Sequence, residues 1–168
     1  MKKKSALLLS LLAFTSVAMA DDEIKLYTSA GFTSLNYSYA GRTYSYSANI
    51  GNVKSGTFGT EYNRYISGEV VTSFGTASAT GNTITFTGLY AKPTLPLGES
   101  VVLFGKVGTM NIRNSDPYSG NFNSVSYGVG ADFYPNGKEF LISANYMILA
   151  KSNGEELKGF GVSAGYKF

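Results

Sequence analysis

The chain has 168 residues, with 14 lysines and arginines against 11 aspartates and glutamates, and it contains no cysteine and no histidine. A disulfide scaffold is therefore excluded, so an exported domain of this size needs another device to hold it together. The lack of both residues also closes the usual Ser-His and Cys-His routes to an activated nucleophile.

The first 20 residues have the pattern of a secretory signal peptide. Three lysines at positions 2–4 precede the apolar segment 6–17, and Ala18-Met19-Ala20 forms a small-residue cleavage site. We expect residues 1–20 to be removed, which leaves one domain over residues 21–168. Without the three lysines, acidic and basic residues are equal in number, so the charge balance gives no reason to expect a nucleic-acid partner.

The mature chain alternates between two kinds of residue in eight segments, which predicts half-buried strands. In the first segment Ile24, Leu26 and Phe32 share one face, and Lys25 and Tyr27 share the other. No segment holds 18 consecutive apolar residues, so no transmembrane helix is predicted. The eight predicted strands are 24–33, 56–63, 66–74, 83–91, 101–110, 124–134, 139–149 and 158–168.

The connections between these strands alternate between long polar segments and short turns. The polar region 34–55 is interpreted either as a long loop or as the upper part of a tall hairpin. Pro93, Pro96 and Gly98 predict a turn after the fourth strand. Asn136-Gly137 predicts a two-residue hairpin after the sixth strand.

The last strand carries a family resemblance. Phe160, Val162, Ala164, Tyr166 and Phe168 alternate with small or polar residues up to the chain end. This pattern resembles the closing strand of bacterial outer-membrane β-barrels, and the segment LYTSAGF resembles the opening strand of small OmpA-type barrels. The resemblance implies an all-β, eight-stranded, antiparallel up-and-down transmembrane β-barrel. It also implies that Phe160, Tyr166 and Phe168 form a signal that the barrel-assembly machinery reads.

The charged residues within the strands lie on the small, polar face. A lysine or arginine that faces lipid near the midplane costs about 2–4 kcal/mol, so this face is predicted to line the lumen and the aromatic face to contact lipid. Glu61, Glu69, Lys106 and Asp132 are predicted to form a lumen charge cluster, with Asp132 either joining it or lying nearer the periplasmic end. A soluble, lipocalin-like periplasmic barrel with the apolar face inward is the alternative, and its surface would carry unusually little charge.

The loops are predicted to carry the function. Resemblance to the opacity-protein, Ail/Lom and OmpX-like group implies a non-enzymatic role, structural or adhesin-like. The candidate contact residues cluster at 37–46, because tyrosine and arginine are favoured at interfaces; they are Tyr37, Tyr39, Arg42, Tyr44 and Tyr46. A mobile loop that only shields the barrel rim is the alternative.

Two other functions are weighed against this one. A narrow channel is disfavoured because eight strands enclose an interior that side chains can fill. Enzymatic chemistry would have to use carboxylates such as Glu61 and Glu69. No catalytic residue, cofactor or metal site is predicted. We expect a monomer in the cell outer membrane, in contact with lipid and lipopolysaccharide, whose loops reach a host or cell-surface ligand.

Overall fold

The computed structural model describes residues 24–40, 45–76, 83–114, 122–135, 139–152 and 154–168. They form one closed antiparallel barrel in chain order, in which the last strand pairs with the first. The predicted eight-stranded up-and-down barrel is therefore confirmed, while residues 1–20 lie outside the described residues. The strands are β1 Lys25–Ala40, β2 Ser45–Asn63, β3 Ile66–Thr76, β4 Thr83–Pro96, β5 Val101–Asn114, β6 Phe122–Phe133, β7 Phe140–Ser152 and β8 Glu155–Lys167. Across the described ranges, no helix is long and apolar enough to cross a membrane.

Most of the polar region 34–55 is paired strand and not loop. β1 and β2 pair from Lys25 opposite Glu61 up to Ala40 opposite Ser45, with one bulge after Leu35. The two alternatives for this region are thereby resolved in favour of the tall hairpin. We call this end of the barrel the hairpin end and the opposite end, where β1 begins and β8 ends, the terminal end.

The aromatic and branched face of most strands points outward, as predicted. Phe32, Phe74 and Val129 are between 58% and 64% exposed, whereas Glu69 and Asp132 are buried inside the barrel. A lipocalin-like arrangement, in which the aromatic rows converge on the barrel axis, is wrong for this chain.

Strand β4 is the exception, because its two faces are the reverse of those predicted. Ile84, Phe86 and Tyr90 were expected to contact lipid, but they are 7%, 1% and 4% exposed and fill the lumen. The cause is the register with β3, which sets Tyr90 opposite the buried Glu69. Directly paired residues point to the same face of a sheet, so burial of the carboxylate also turns the tyrosine inward and turns Leu89 outward.

The turn predicted at Pro93, Pro96 and Gly98 begins later than expected, since both prolines lie within β4 and Gly98 alone lies in the connection to β5. Proline has no N–H to donate to a ladder, and the pairing of β4 with β5 is interrupted between Ala91 and Thr94. The strand continues past this gap. Its extension adds Lys92 to the inward face.

Large side chains of the lumen lie over glycines of neighbouring strands. A Cβ atom at Gly59 would overlap the ring of Tyr27, and one at Gly130 would overlap the ring of Phe104. The small residues on the lumen face therefore leave the space that these rings occupy.

Candidate functional site

Four ionised side chains from four adjacent strands meet inside the barrel and form what we call the charge layer. Lys92 Nζ lies 3.1 Å from Glu69 Oε1 and 2.7 Å from Asp132 Oδ2. Lys106 Nζ lies 2.5 Å from Glu69 Oε2. The four side chains are at most 9% exposed. Two ammonium groups and two carboxylates make the layer electrically neutral, which is the condition for burying charges at an acceptable cost.

Two aromatic side chains also contact the charge layer. Tyr27 donates its hydroxyl hydrogen to Glu69 Oε1 at 2.5 Å. Lys92 Nζ lies 4.3 Å from the ring centre of Phe104, and Lys106 Nζ lies 5.2 Å from it. A desolvated ammonium over an aromatic face gains electrostatic stabilisation. The ring of Phe104 therefore stabilises the charges of both lysines.

The structure brings Glu69, Lys106 and Asp132 together but does not place Glu61 with them. Glu61 pairs with Lys167 at 2.5 Å near the terminal end, and both side chains are partly exposed. Lys167 also lies 4.9 Å from the ring centre of Tyr134. Glu61 therefore belongs to a separate pair, because its position on β2 is near the terminal rim of the barrel. Glu69 lies on β3 farther from that rim.

Lys92 is the member of the charge layer that the sequence prediction missed. Ending the fourth strand at Ala91 left this lysine in a supposed turn. The missed signal was the parity shared by Phe86, Tyr90 and Lys92, which is visible once the strand runs through Pro93. Lys92 bridges both carboxylates, so it is the central cation of the layer.

An apolar cluster closes the lumen toward the hairpin end. Its members are Leu35, Val53, Ile84, Phe86, Tyr90, Met110, Ile112, Met147, Leu149, Ala150 and Leu157. A cavity of about 60 Å³, lined by residues of this cluster and of the charge layer and by several serines, lies within the lumen. This volume is enough for a few water molecules.

The ionised groups of the charge layer neutralise one another. Both carboxylates of the charge layer are held by ammonium groups. Within the described residues, no group of three or more acidic side chains is placed to hold a metal ion.

The candidate contact residues fall in the upper part of the β1–β2 hairpin. Tyr37 is half-buried against the apolar cluster and donates its hydroxyl hydrogen to Glu155 Oε1 at 2.9 Å. Tyr39 is half-buried and lies opposite Tyr46 in the ladder. Arg42 and Tyr44 lie outside the described residues.

The three residues of the predicted assembly signal lie on the outer surface of the closing strand or just after it. Phe160, Tyr166 and Phe168 are 53%, 43% and 71% exposed, and the rings of the last two meet edge to face at 5.3 Å. The backbone N–H of Phe168 donates to the carbonyl of Leu26, which extends the closure with β1 to the last residue. Recognition by the assembly machinery stays a prediction.

Comparison with known proteins agrees with this architecture. The family model described as outer membrane protein beta-barrel domain matches residues 5–168. No curated protein matches the chain.

Several solved structures share the fold at low identity. Ail, the attachment invasion locus protein of Yersinia pestis, is 19% identical, with 88% of this chain and 100% of that chain covered and a TM-score of 0.62. Neisserial surface protein A is 16% identical, with 87% and 98% covered and a TM-score of 0.61. The N-terminal barrel domain of Pseudomonas aeruginosa OprF is 17% identical, with 83% and 97% covered and a TM-score of 0.55.

The family model covers nearly the whole chain, and the barrel, with its aromatic face outward, has the architecture that the family name describes. The protein therefore belongs to the outer membrane protein β-barrel domain family and resides in the outer membrane.

Proposed function

We propose that the protein is a non-enzymatic surface-interaction protein, in which the filled barrel is a mount for the β1–β2 hairpin. The observation that carries this proposal is a change in the outward face of the hairpin. The outward side chains of β1 are mostly apolar up to Phe32, and beyond it they are Ser34, Asn36 and Ser38. The hairpin therefore leaves the lipid between Phe32 and Ser34.

The lengths of the strands support the same boundary. A strand needs about 9–11 residues to span the membrane. β3 has 11 residues, whereas β2 has 19, so about eight residues of β2 extend beyond the hydrocarbon. Long connections of this barrel class are extracellular and short ones periplasmic, so we assign the hairpin end to the outside of the cell.

Side-chain hydrogen bonds hold the projecting part of the hairpin. Ser47 Oγ donates to Asn36 Oδ1 at 2.9 Å, and Asn49 Nδ2 donates to Ser34 Oγ at 3.0 Å. The bond from Tyr37 to Glu155 ties the hairpin to β8. A surface that is ordered before binding loses less entropy when a partner arrives, which favours a contact surface over a mobile shield.

The filled lumen supports a mount in preference to a channel. The charge layer and the apolar cluster occupy successive levels of the same interior, and eight strands leave little room besides. We expect no steady single-channel conductance from purified protein in planar bilayers. Stable conductance steps of uniform size would contradict this expectation.

Sulfated glycans are the ligand class to test first. Ail has been solved in complex with the heparin analogue sucrose octasulfate. In this chain, exposed or half-exposed cations lie at the hairpin end on three of the strands, namely Arg113, Lys151 and Lys158. Opposite charge at an extracellular rim favours the approach of a polyanion.

The experiment shortens the hairpin and keeps the sequence of the barrel below Asn36 and Asn49 unchanged. Asn36 and Asn49 are paired in the ladder, so an Asn-Gly turn that joins them removes residues 37–48 and suits a two-residue hairpin. Cells that display this variant should attach to immobilised heparin and to cultured epithelial cells at least fivefold less than cells that display the natural chain.

The matched control replaces residues 77–82 with glycine and serine at equal length, and its attachment should equal that of the natural chain. Heat-dependent gel mobility checks that both variants are folded. Undiminished attachment by the shortened, folded variant would contradict the proposal, and so would natural-chain attachment no better than that of cells without the protein.

We also propose that residues 1–20 are removed on export. N-terminal sequencing of protein taken from outer membranes should then begin at Asp21. A sequence that begins at Met1 would contradict cleavage.

A further inference from the structure

The outer wall of the barrel carries a depression that the function proposed above does not use. It runs obliquely across five strands, from Pro93, Thr94 and Leu95 on β4 to Phe160 on β8, and has a volume of about 660 Å³. We call it the β4–β8 groove. Its floor is formed by Gly105, Ala131 and Ala144, and its walls by Leu95, Leu103, Val129, Tyr146 and Phe160.

The walls stand out because the floor residues are small. Leu95, Val129 and Phe160 are between 53% and 64% exposed, while Ala131 and Ala144 pair directly in the ladder between β6 and β7. Four strand-to-strand steps of about 4.8 Å give the groove a length of about 19 Å. One leaflet of the hydrocarbon core is about 15 Å thick, so an obliquely lying acyl chain matches the groove in length.

The β4 end of the groove adjoins a cation. Thr94 donates its N–H to the carbonyl of Tyr65 at 2.8 Å and its hydroxyl hydrogen to the carbonyl of Arg64 at 2.9 Å. The turn between β2 and β3 is thereby fixed beside the groove. The guanidinium carbon of Arg64 lies 5.0 Å from the ring centre of Tyr65, and that tyrosine is 55% exposed.

This turn lies at the level of the lipid headgroups in the membrane. It lies at the terminal end, which is the periplasmic end in this barrel class, and exposed tyrosines are enriched at the membrane–water boundary. Within the described residues Arg64 forms no ion pair with a carboxylate, so its charge is available to an outside anion. Arginine binds phosphate well because its planar fork of donors matches the anion.

We propose that the β4–β8 groove binds one phospholipid of the inner leaflet, with an acyl chain between the groove walls and the phosphate at Arg64. A second copy of the chain is the competing occupant. The groove fits a single acyl chain better, because it is apolar and ends beside the turn that carries Arg64, whereas a stable protein interface buries about 800 Å² on each partner.

The test is native mass spectrometry of the purified, folded protein titrated with dioleoyl phosphatidylglycerol. The natural chain should retain one lipid per barrel at concentrations where further lipids are not retained. Ala131→Leu combined with Ala144→Leu fills the groove floor and should abolish this retention. Arg64→Gln should weaken it about fivefold, as expected for one cation at the membrane surface.

Each variant has a matched control. Ala164→Leu makes the same kind of substitution, with half of the added bulk, at an exposed alanine of β8 outside the groove, and Arg113→Gln removes the same charge at the hairpin end. Both controls should retain lipid as the natural chain does, and heat-dependent gel mobility checks that every variant is folded.

Two results would overturn the proposal. One is equal retention by the groove-filled variant and the Ala164→Leu control. The other is a barrel dimer in the natural chain that is lost in the groove-filled variant, which would assign the groove to a second copy. Neither result bears on the β1–β2 hairpin, so this proposal and the proposed function fail separately.

Discussion

The charge layer and the apolar cluster fill the same lumen by different physical means. The charge layer uses four side chains from four adjacent strands, and each ion has an opposite charge within 3.1 Å. The apolar cluster draws on six strands and depends on the volume that its side chains occupy. One region should therefore respond to the loss of a partner and the other to the loss of volume.

The first prediction concerns a variant that lacks the central cation of the charge layer. Lys92→Met leaves Asp132 buried without its ammonium partner, so we expect the free energy of unfolding to fall by about 3–5 kcal/mol. Urea unfolding in detergent or lipid vesicles, followed by gel mobility, measures this loss.

The matching double variant separates pairing from volume. Adding Asp132→Leu to Lys92→Met replaces the pair with apolar side chains, which is often neutral for a buried pair, so at least half of the lost stability should return. A double variant that is less stable than Lys92→Met would show that the layer does not act through pairing.

The second prediction creates a cavity in the apolar cluster. Phe86→Ala removes a side chain that is 1% exposed, and we expect a loss of about 3–5 kcal/mol in the same unfolding assay. Phe74→Ala is the control, because Phe74 is 58% exposed to lipid and lipid can fill the space. Equal losses for the two variants would contradict a packed lumen.

The third prediction tests the hydroxyl that completes the charge layer. Tyr27→Phe keeps the ring over Gly59 but removes the hydrogen bond to Glu69. A hydrogen bond to a charged group contributes about 1.5–3 kcal/mol, so the free energy of unfolding should fall by that amount. Tyr127→Phe, at a 43% exposed position on the outer face, should change stability little; a loss as large as that of Tyr27→Phe would argue against a special role for the buried hydroxyl.

The smallest effect is expected at the hairpin end of β8. The hydrogen bond from Lys158 lowers the pKa of the Glu156 carboxyl, and Lys151 adds to this. A lowered pKa stabilises the fold above the ordinary glutamate value of about 4.3, and this contribution disappears as the pH falls through the lowered value.

Glu156→Gln should therefore cost at most about 1 kcal/mol at neutral pH, because the ions are exposed to solvent. Unfolding curves at pH 7 and at a pH well below 4 measure the difference. The variant and the natural chain should converge at the acid pH, and a difference that grows on acidification would contradict the assignment.

The sequence predicts the outward face best where one face of a strand is clearly apolar. β1, β3 and β8 alternate between large and small residues, and their outward rows are as expected because lipid contact demands apolar side chains along the whole row. In β4 both rows are of mixed character, with Phe86 and Tyr90 on one and Leu89 on the other. Composition alone therefore cannot orient it.

The charge layer is likewise predictable only in part. The alternation of side chains along each strand places Glu69, Lys106 and Asp132 on the lumen face, but it does not give their levels along the barrel axis. The pairing of each strand with its neighbours sets the height, and it places Glu61 beside Lys167 and not beside Glu69.

Local alternation in the sequence predicted the eight strands, because successive side chains of a strand point to opposite faces whatever lies across the sheet. The position of the charged residues predicted that most aromatic rows face lipid. The role of the last strand in closing the barrel was implied by its resemblance to the closing strands of outer-membrane barrels. The tertiary structure alone decided the orientation of β4, the recruitment of Lys92 and the height of the β1–β2 hairpin. Those features depend on register, which is fixed when a strand meets its neighbours in the closed barrel.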